Sequence, residues 1–348
     1  VSRDPVILRI EDGLFRGWQE VRVRMSLEQI ADTCELVLTE RWGGGDARPI
    51  TTDSPCEISV GDSLVLTGHV DELLPDYDAT SHTITANCRS KTADLVDCSG
   101  QDKRFKDRSL KRIAQDLAAP FGIEVVDEAG ASTPIREFTI EDGQPVAEAL
   151  EKAAQARGVR IVSDEYGRLV ITNAVRREVA TTLELGVNIR KGRGNFSVRD
   201  RFHLYIVEGQ TQGTDSWFGE QAAAPRGQAK DPRIRSPRSF LIVSDVPADS
   251  GECRKRAEFE SRRRWARGKG ITYTVGGWRH ESGVWRPGDL VRVKDEYLGL
   301  DGRMLVSDVQ LIENGDDGRV AELRVAPPEA FEQKPVPEQE KATGTLGW

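Results

Sequence analysis

Four histidines, His69, His82, His203 and His280, are the first residues to test for chemistry, and none carries a metal spacing such as H-E-x-x-H. A histidine without a partner motif reads as a structural or surface residue. Ser81-His82 is adjacent in sequence but lacks the G-x-S-x-G turn that would expose a nucleophile. The Gly43-Gly44-Gly45 run is not followed by the Gly-Lys-Ser/Thr of a phosphate loop and reads as a hairpin tip. Acidic pairs occur at Glu11-Asp12, Asp71-Glu72, Asp127-Glu128 and Glu141-Asp142. Glycoside hydrolysis needs two carboxylates facing each other across a cleft, one with a raised pKa. Among 57 acidic residues, these pairs read as solvated surface. The Asp76-Tyr77-Asp78 stretch lacks the ligand number of a calcium loop. The cysteines, Cys34, Cys56, Cys88, Cys98 and Cys253, are odd in number and contain no C-x-x-C, so reduced and mostly buried thiols are expected, as in a protein folded in a cytoplasm. No catalytic, cofactor or metal residues are expected.

A basic stretch with Arg254, Lys255, Arg256, Arg262, Arg263, Arg264 and Arg267 beside Trp265 invites a nucleic-acid or anionic-lipid reading. On a helix, however, Arg254–Glu258, Arg256–Glu260, Glu258–Arg262 and Glu260–Arg264 are i,i+4 ion pairs, and the last arginines complement the helix dipole. A solvated face or a subunit contact accounts for the stretch. Lys plus Arg is 49 against 57 Asp plus Glu, a net charge of −8, which weighs against a dedicated phosphate binder. The N-terminus lacks the layout of a signal peptide, and no run approaches the ~18 apolar residues of a membrane span.

The elements that would carry these residues fall into three kinds. From the start to about residue 98, alternating apolar residues (Val6–Ile10, Val21/Val23/Met25, Cys34–Thr39, Cys56–Val60, Leu64–Leu66, Ile84–Cys88), punctuated by Gly and Asp, predict a β-meander. Leu110, Ile113, Ala114, Leu117 and Ala118 then form one helical face, with Asp107 or Ser109 as cap, and a strand follows at Ile123–Val126. The unit repeats at constant spacing: Leu110 with Val146, Leu117 with Ala153, Gly122 with Gly158, Ile123 with Val159. Two copies suit a small α+β domain. Strands at 183–189 and 202–207, a loop-like stretch at 209–238, a strand at 239–246 and a helix over 247–267 come next. Strands near 271–275, 289–294, 304–312 and 320–325 make a second meander, and the Glu/Lys/Pro/Gln-rich end after Phe331 predicts disorder.

The segment Arg89-Ser90-Lys91-Thr92-Ala93-Asp94-Leu95-Val96-Asp97-Cys98 closely resembles the block that closes the first barrel in phage Mu-type baseplate hub proteins, relatives of the T4-type tail hub. Ser109 to Gly122, Ala153 to Gly158, Arg199-Asp200-Arg201-Phe202, the arginine-rich helix and Pro327-Pro328-Glu329-Ala330-Phe331 resemble successive later blocks, in order, up to about residue 332. The extreme C-terminus departs from the pattern by being shorter. The resemblance implies a mainly β, α+β chain with two similar antiparallel β-barrel domains and a small α+β domain. It implies barrels at 1–98 and at 176–227 plus 271–332, a peripheral α+β domain from 99–175 plus 228–270, and a flexible tail at 333–348. It further implies a non-enzymatic homotrimer forming a pseudo-six-fold ring, joined to a tail tube, other baseplate proteins and a three-fold spike. DNA would pass through without specific binding, and the ring would sit in a virion baseplate assembled in the host cytoplasm. Two other readings stand beside it: a peptidoglycan-binding or cell-wall-degrading tail enzyme, and an oligonucleotide-binding barrel, the latter short of aromatic residues.

Overall fold

The computed structural model describes residues 4–11, 13–39, 50–80, 82–100, 103–210, 225–247 and 249–332. Ser81, the Gly43-Gly44-Gly45 run and the tail at 333–348 lie outside them. The first meander supplies β1 (Val6–Ile10), β2 (Gly13–Phe15), β3 (Glu20–Ser26), β4 (Thr33–Thr39), β5 (Pro55–Val60), β6 (Ser63–Tyr77) and β7 (His82–Ser90). The sequence alternation translates directly into burial: Val21, Val23 and Met25 point into the core, while Glu20 and Arg24 are exposed.

A short helix α1 (Ala93–Asp97) leads into the α+β unit: β8 (Lys103–Ser109), α2 (Leu110–Ala118), β9 (Val125–Asp127), β10 (Pro134–Ile140), α3 (Val146–Arg157), β11 (Arg160–Ser163) and β12 (Leu169–Thr172). The repeat seen in the sequence is physical here. The Ser109 hydroxyl caps α2 by accepting from the Arg112 N–H. Gly122 and Gly158 end the two helical segments at φ 65° and 71°, a left-handed geometry that favours glycine. Leu110, Ile113, Leu117, Val146, Leu150 and Ala153 form one core over β8, β10 and the β11–β12–β9 sheet.

The chain then gives β13 (Arg177–Glu184) and β14 (Ile189–Phe196), followed by a separate unit of β15 (Leu204–Gln210), β16 (Arg226–Lys230), β17 (Ser239–Pro247) and α4 (Ser250–Arg267). Grouping residues 176–227 with the second meander places β15 in the wrong sheet: it pairs with β16 and with β17. The reason is packing. Tyr205 and Val207 of β15 bury themselves against Cys253 and Ala257, so α4 rests on this small sheet. The last stretch is β18 (Lys269–Gly276), β19 (Arg279–His280), β20 (Gly283–Val284), β21 (Asp289–Asp295), β22 (Leu300–Asn314) and β23 (Gly318–Ala326).

Among the described residues, both meanders join one 13-stranded sheet, and its strand order contains the same run twice. In the first half the neighbours run β3-β4-β7-β6-β5-β1; in the second they run β14-β18-β23-β22-β21-β13. The ladders within both runs are antiparallel except that β13 lies parallel to β21 where β1 is antiparallel to β5. The long strands β6 and β22 each carry a register shift on the ladder to their hairpin partner, between Val70 and Glu72 and between Val306 and Asp308. In the first half, β3 reaches β4 through residues 27–32 alone. In the second, the whole β15–α4 unit is inserted between β14 and β18. Pairing of β3 with β22 welds the halves together, over one continuous core drawn from both. Among the described residues, no ladder joins the two ends of either run, so each remains hydrogen-bonded as an open sheet where a barrel was expected.

Candidate assembly surface

His280 and His203 make structural contacts. His280 is buried; its Nε2 lies 3.5 Å from Asp289 and 3.0 Å from an Arg177 nitrogen. Burial works to raise the Asp289 carboxyl, but hydrogen bonds from His280 and Arg177 outweigh it and hold the group below the usual range. This cluster fastens β13 to the β19–β20 hairpin. His203 Nδ1 lies 2.9 Å from the Ile234 carbonyl, His82 stacks on Tyr77 at 5.9 Å, and His69 sits half-buried within β6. No group of three or more His, Cys, Asp or Glu side chains among the described residues is arranged to hold a metal.

Three of the thiols share the core of the first half. Cys34 and Cys88 are cross-strand partners, and Cys88 also contacts Cys56. The hydrogen bond to Cys56, then burial, pushes the Cys88 thiol well up, and burial does the same for Cys34, which disfavours the reactive thiolate at both. The duplicated strand order shows what they replace. The ladder positions of Cys34, Cys88 and Cys56 are held in the second half by Ile271, Val325 and Val291. Cys98 is exposed.

Of the carboxylates, Asp32 is the most perturbed. Burial pushes it up to about 7, against the pull of Arg286, the Ser26 N–H and Arg176, with Asp164 adding to the rise. A carboxyl of that pKa near a second acid resembles half of a glycosidase pair. Yet Asp32 is 6 % and Asp164 4 % exposed, and Asp164 is consumed by Arg168 and the N–H groups of Tyr166 and Arg168. A polysaccharide chain cannot reach either.

The basic helix α4 turns Arg256, Arg263 and Arg264 toward the protein and leaves Arg254, Lys255 and Arg262 exposed. Asp249 and Glu252 form a capping box at its start. Three of the four ion pairs expected from the sequence form, Arg254–Glu258 at 3.1 Å, Arg256–Glu260 at 3.0 Å and Arg264–Glu260 at 3.5 Å, whereas Glu258–Arg262 does not. Arg264 also lies over the rings of Phe240 and Phe202, at 4.3 and 5.6 Å, and Arg262 reaches Glu332 at 3.1 Å. A groove lined by Asp200, Arg201, Glu260, Arg263, Arg264 and Arg267 carries both signs of charge. Arg254, Arg256 and Arg264 are thus paired within the helix, while Lys255, Arg262 and Arg267 remain exposed and the helix keeps a positive excess.

Arg160 connects the α+β unit to the sheet and was not legible in the sequence. It is buried in β11, donates to the Phe331 carbonyl at 3.0 Å and the Leu27 carbonyl at 3.3 Å, and lies 5.7 Å from the Phe331 ring centroid. The β3–β4 connection, the α+β unit and the Pro-Pro-Glu-Ala-Phe segment thus meet on one guanidinium.

What remains open is backbone. In β22, residues 300–305 pair with β21, and residues 308–313 pair with β3 along the same edge. In β6, residues 63–69 pair with β5, but residues 72–77 have no strand on that edge among the described residues. Leu74 and Tyr77 on it are 47 % and 76 % exposed. On the far side, among the described residues β14 forms a ladder with β18 alone, and its residues after Ile189 are exposed, Phe196 at 54 %. Unpaired edges with exposed aromatic and aliphatic side chains are templates for another strand.

Known proteins share this architecture. Family models match in succession: the N-terminal domain of Mu phage baseplate assembly protein GpP-like proteins over residues 5–90, the second domain of gp44-like baseplate hub proteins over 92–173, and the fourth domain of Mu phage baseplate assembly protein GpP over 249–334. Baseplate hub protein gp44 of Escherichia phage Mu is 32% identical over 337 residues, covering 94% of this chain and 88% of that protein. The 43 kDa tail protein of prophage MuSo2 from Shewanella oneidensis superposes with a TM-score of 0.83 at 32% identity, over 94% of this chain and 99% of that one. The tail protein from Neisseria meningitidis MC58, at 23% identity, has the same fold with a TM-score of 0.80, over 95% of this chain and 98% of that one. With its sheet, inserted units and sequence all matching, this chain belongs to the Mu-type phage tail baseplate hub family, structural proteins of the virion tail.

Proposed function

We propose that three copies of this chain form a ring with pseudo-six-fold symmetry at the centre of the baseplate. One face of the ring seats the six-fold tail tube; the other binds a three-fold spike and leaves a channel for DNA once the spike departs. The observation that carries this reading is the duplicated strand order: two like-built sheet halves per chain give six similar units from three chains. The first ring module is residues 1–98. The second takes β13 and β14 with residues 271–332, each half closing into a barrel-like wall in the assembly. The α+β unit at 99–175 and the β15–α4 unit form the periphery. The role is non-enzymatic. DNA passes without specific binding, helped by a net charge of −8 that disfavours phosphate capture along the lumen. Assembly takes place in the host cytoplasm, where the reduced thiols are at home.

Light scattering on the purified chain tests the subunit number. The expected mass is three times the 38.6 kDa of one chain. A mass of one chain that does not change at high concentration contradicts the proposal.

A further inference from the structure

We infer that β14 of one copy pairs antiparallel with residues 72–77 of β6 in the next copy, in a register already written inside each chain. The inference rests on the reading of the chain as a self-assembling ring subunit and names the contact that builds the ring.

The two halves can be equated residue by residue from their ladders. The register shifts equate Val306 with Val70 and Asp308 with Glu72. The partners of those residues equate Val325 with Cys88 and Arg324 with Asn87. The next ladder equates Ile271 with Cys34 and Thr272 with Glu35. The last equates Gly194 with Val23 and Arg193 with Arg22. Thus β14 is the counterpart of β3, and residues 72–77 of β6 are the counterpart of residues 308–313 of β22. Within the chain those counterparts are paired: Asp308 with Ser26, Val309 with Met25, Leu311 with Val23, Ile312 with Arg22, Glu313 with Val21. The equivalent strands β14 and β6 are both unpaired on the relevant edges among the described residues.

Transferring the register makes each cross-copy pair specific. Ser197 meets Glu72, as Ser26 meets Asp308 within the chain through a hydroxyl–carboxylate hydrogen bond of 2.7 Å. Phe196 meets Leu73, covering a ring that is 54 % exposed in the single chain. Arg193 meets Asp76, an opposite-charge pair on the outer face. Gly194 meets Pro75, and Gly192 meets Tyr77, whose side chain is 76 % exposed, so small residues face large ones. At Gly192 a Cβ would sit 3.2 Å from the Tyr273 ring, so the glycine leaves that space clear. Pro75 brings no N–H to any ladder, which weakens the edge toward indiscriminate strands and leaves affinity to the side-chain pairs. The contact is head-to-tail: the leading edge of one copy meets a different edge on the next, which is the form that closes into rings.

Paired cysteines read the register. In a Cys98→Ser background, Asp76→Cys with Arg193→Cys should crosslink between chains under mild copper–phenanthroline oxidation, giving a trimer band on non-reducing gels that collapses to monomer with reductant. Tyr77→Cys with Ser197→Cys, about 17 Å apart in the inferred register at ~3.4 Å per residue, should not crosslink. Asp76→Arg alone should lower the trimer fraction at least tenfold, and adding Arg193→Asp should restore it. A trimer by light scattering without the Asp76/Arg193 crosslink, or with the control pair crosslinking equally, overturns the register and leaves the ring reading standing. A monomer by light scattering in the unsubstituted protein overturns both.

Discussion

Asp32 shows how a residue that looks catalytic can be a stability element. Its carboxyl is pushed up to about 7 chiefly by burial, so the folded protein holds its proton more tightly than the unfolded chain. Its contribution is therefore fully present below the ordinary Asp range near 4 and is lost as pH rises through about 7. Asp32→Asn keeps an acceptor for the Ser26 N–H and removes the titration. Urea unfolding at pH 5 and pH 8 should show the variant gaining stability over the unsubstituted protein between the two, by on the order of a few kcal/mol. An equal difference at both pH values contradicts the assignment. Asp289 runs the other way: its lowered carboxyl contributes stability above the usual Asp range that is lost in acid. At this scale the sequence revealed little. Nothing in it distinguishes Asp32 from the many other acids, because the shift comes from burial by distant segments. The buried guanidinium of Arg160 is invisible for the same reason.

Elements were far more legible. The helical faces of α2 and α3, their glycine stops and three of the four ion pairs of α4 could be read because each depends on residues a few positions apart; Arg262 escaped because it pairs with the distant Glu332. The alternating strands of both meanders could be read for the same reason. β8 and β10 were not foreseen: Lys103-Arg104-Phe105-Lys106-Asp107-Arg108-Ser109 is nearly all polar, and only its pairing with β10 makes it a strand. The placement of β15 beneath α4 also escaped, since parallel pairing with β17 is a long-range choice. Gly227 reports how closely these elements meet. A Cβ there would overlap the backbone of Cys253 and Arg254, so α4 lies directly on β16. Gly227→Ala should cost roughly 3 kcal/mol and loosen amide exchange protection in β15 to β17 first. Gly122→Ala meets open space and should cost about 1–2 kcal/mol from its φ of 65° alone. Equal costs in chemical denaturation contradict the close-contact account.

For the molecule as a whole, the sequence shows two β regions but hides that they are copies. Val21, Val23 and Met25 of β3 correspond to Gly192, Gly194 and Phe196 of β14, and Cys34 corresponds to Ile271, so the core residues have changed and scattered matches such as Arg22 with Arg193 and Val70 with Val306 are too sparse to show the duplication. The two insertions, the α+β unit after β7 and the β15–α4 unit after β14, then break any constant spacing. Only the strand order and the matching register shifts restore the correspondence. Family resemblance supplied the two-fold plan; backbone pairing supplies the evidence that this chain is built on it. The central claim, that two like halves let a threefold assembly imitate sixfold symmetry, is most directly tested by electron micrographs of purified particles viewed end-on. Rotational analysis should show a central hole, a dominant sixfold component in the inner wall and a threefold component at the periphery. Particles without a hole, or an inner wall whose strongest component is twofold or fivefold, would contradict it.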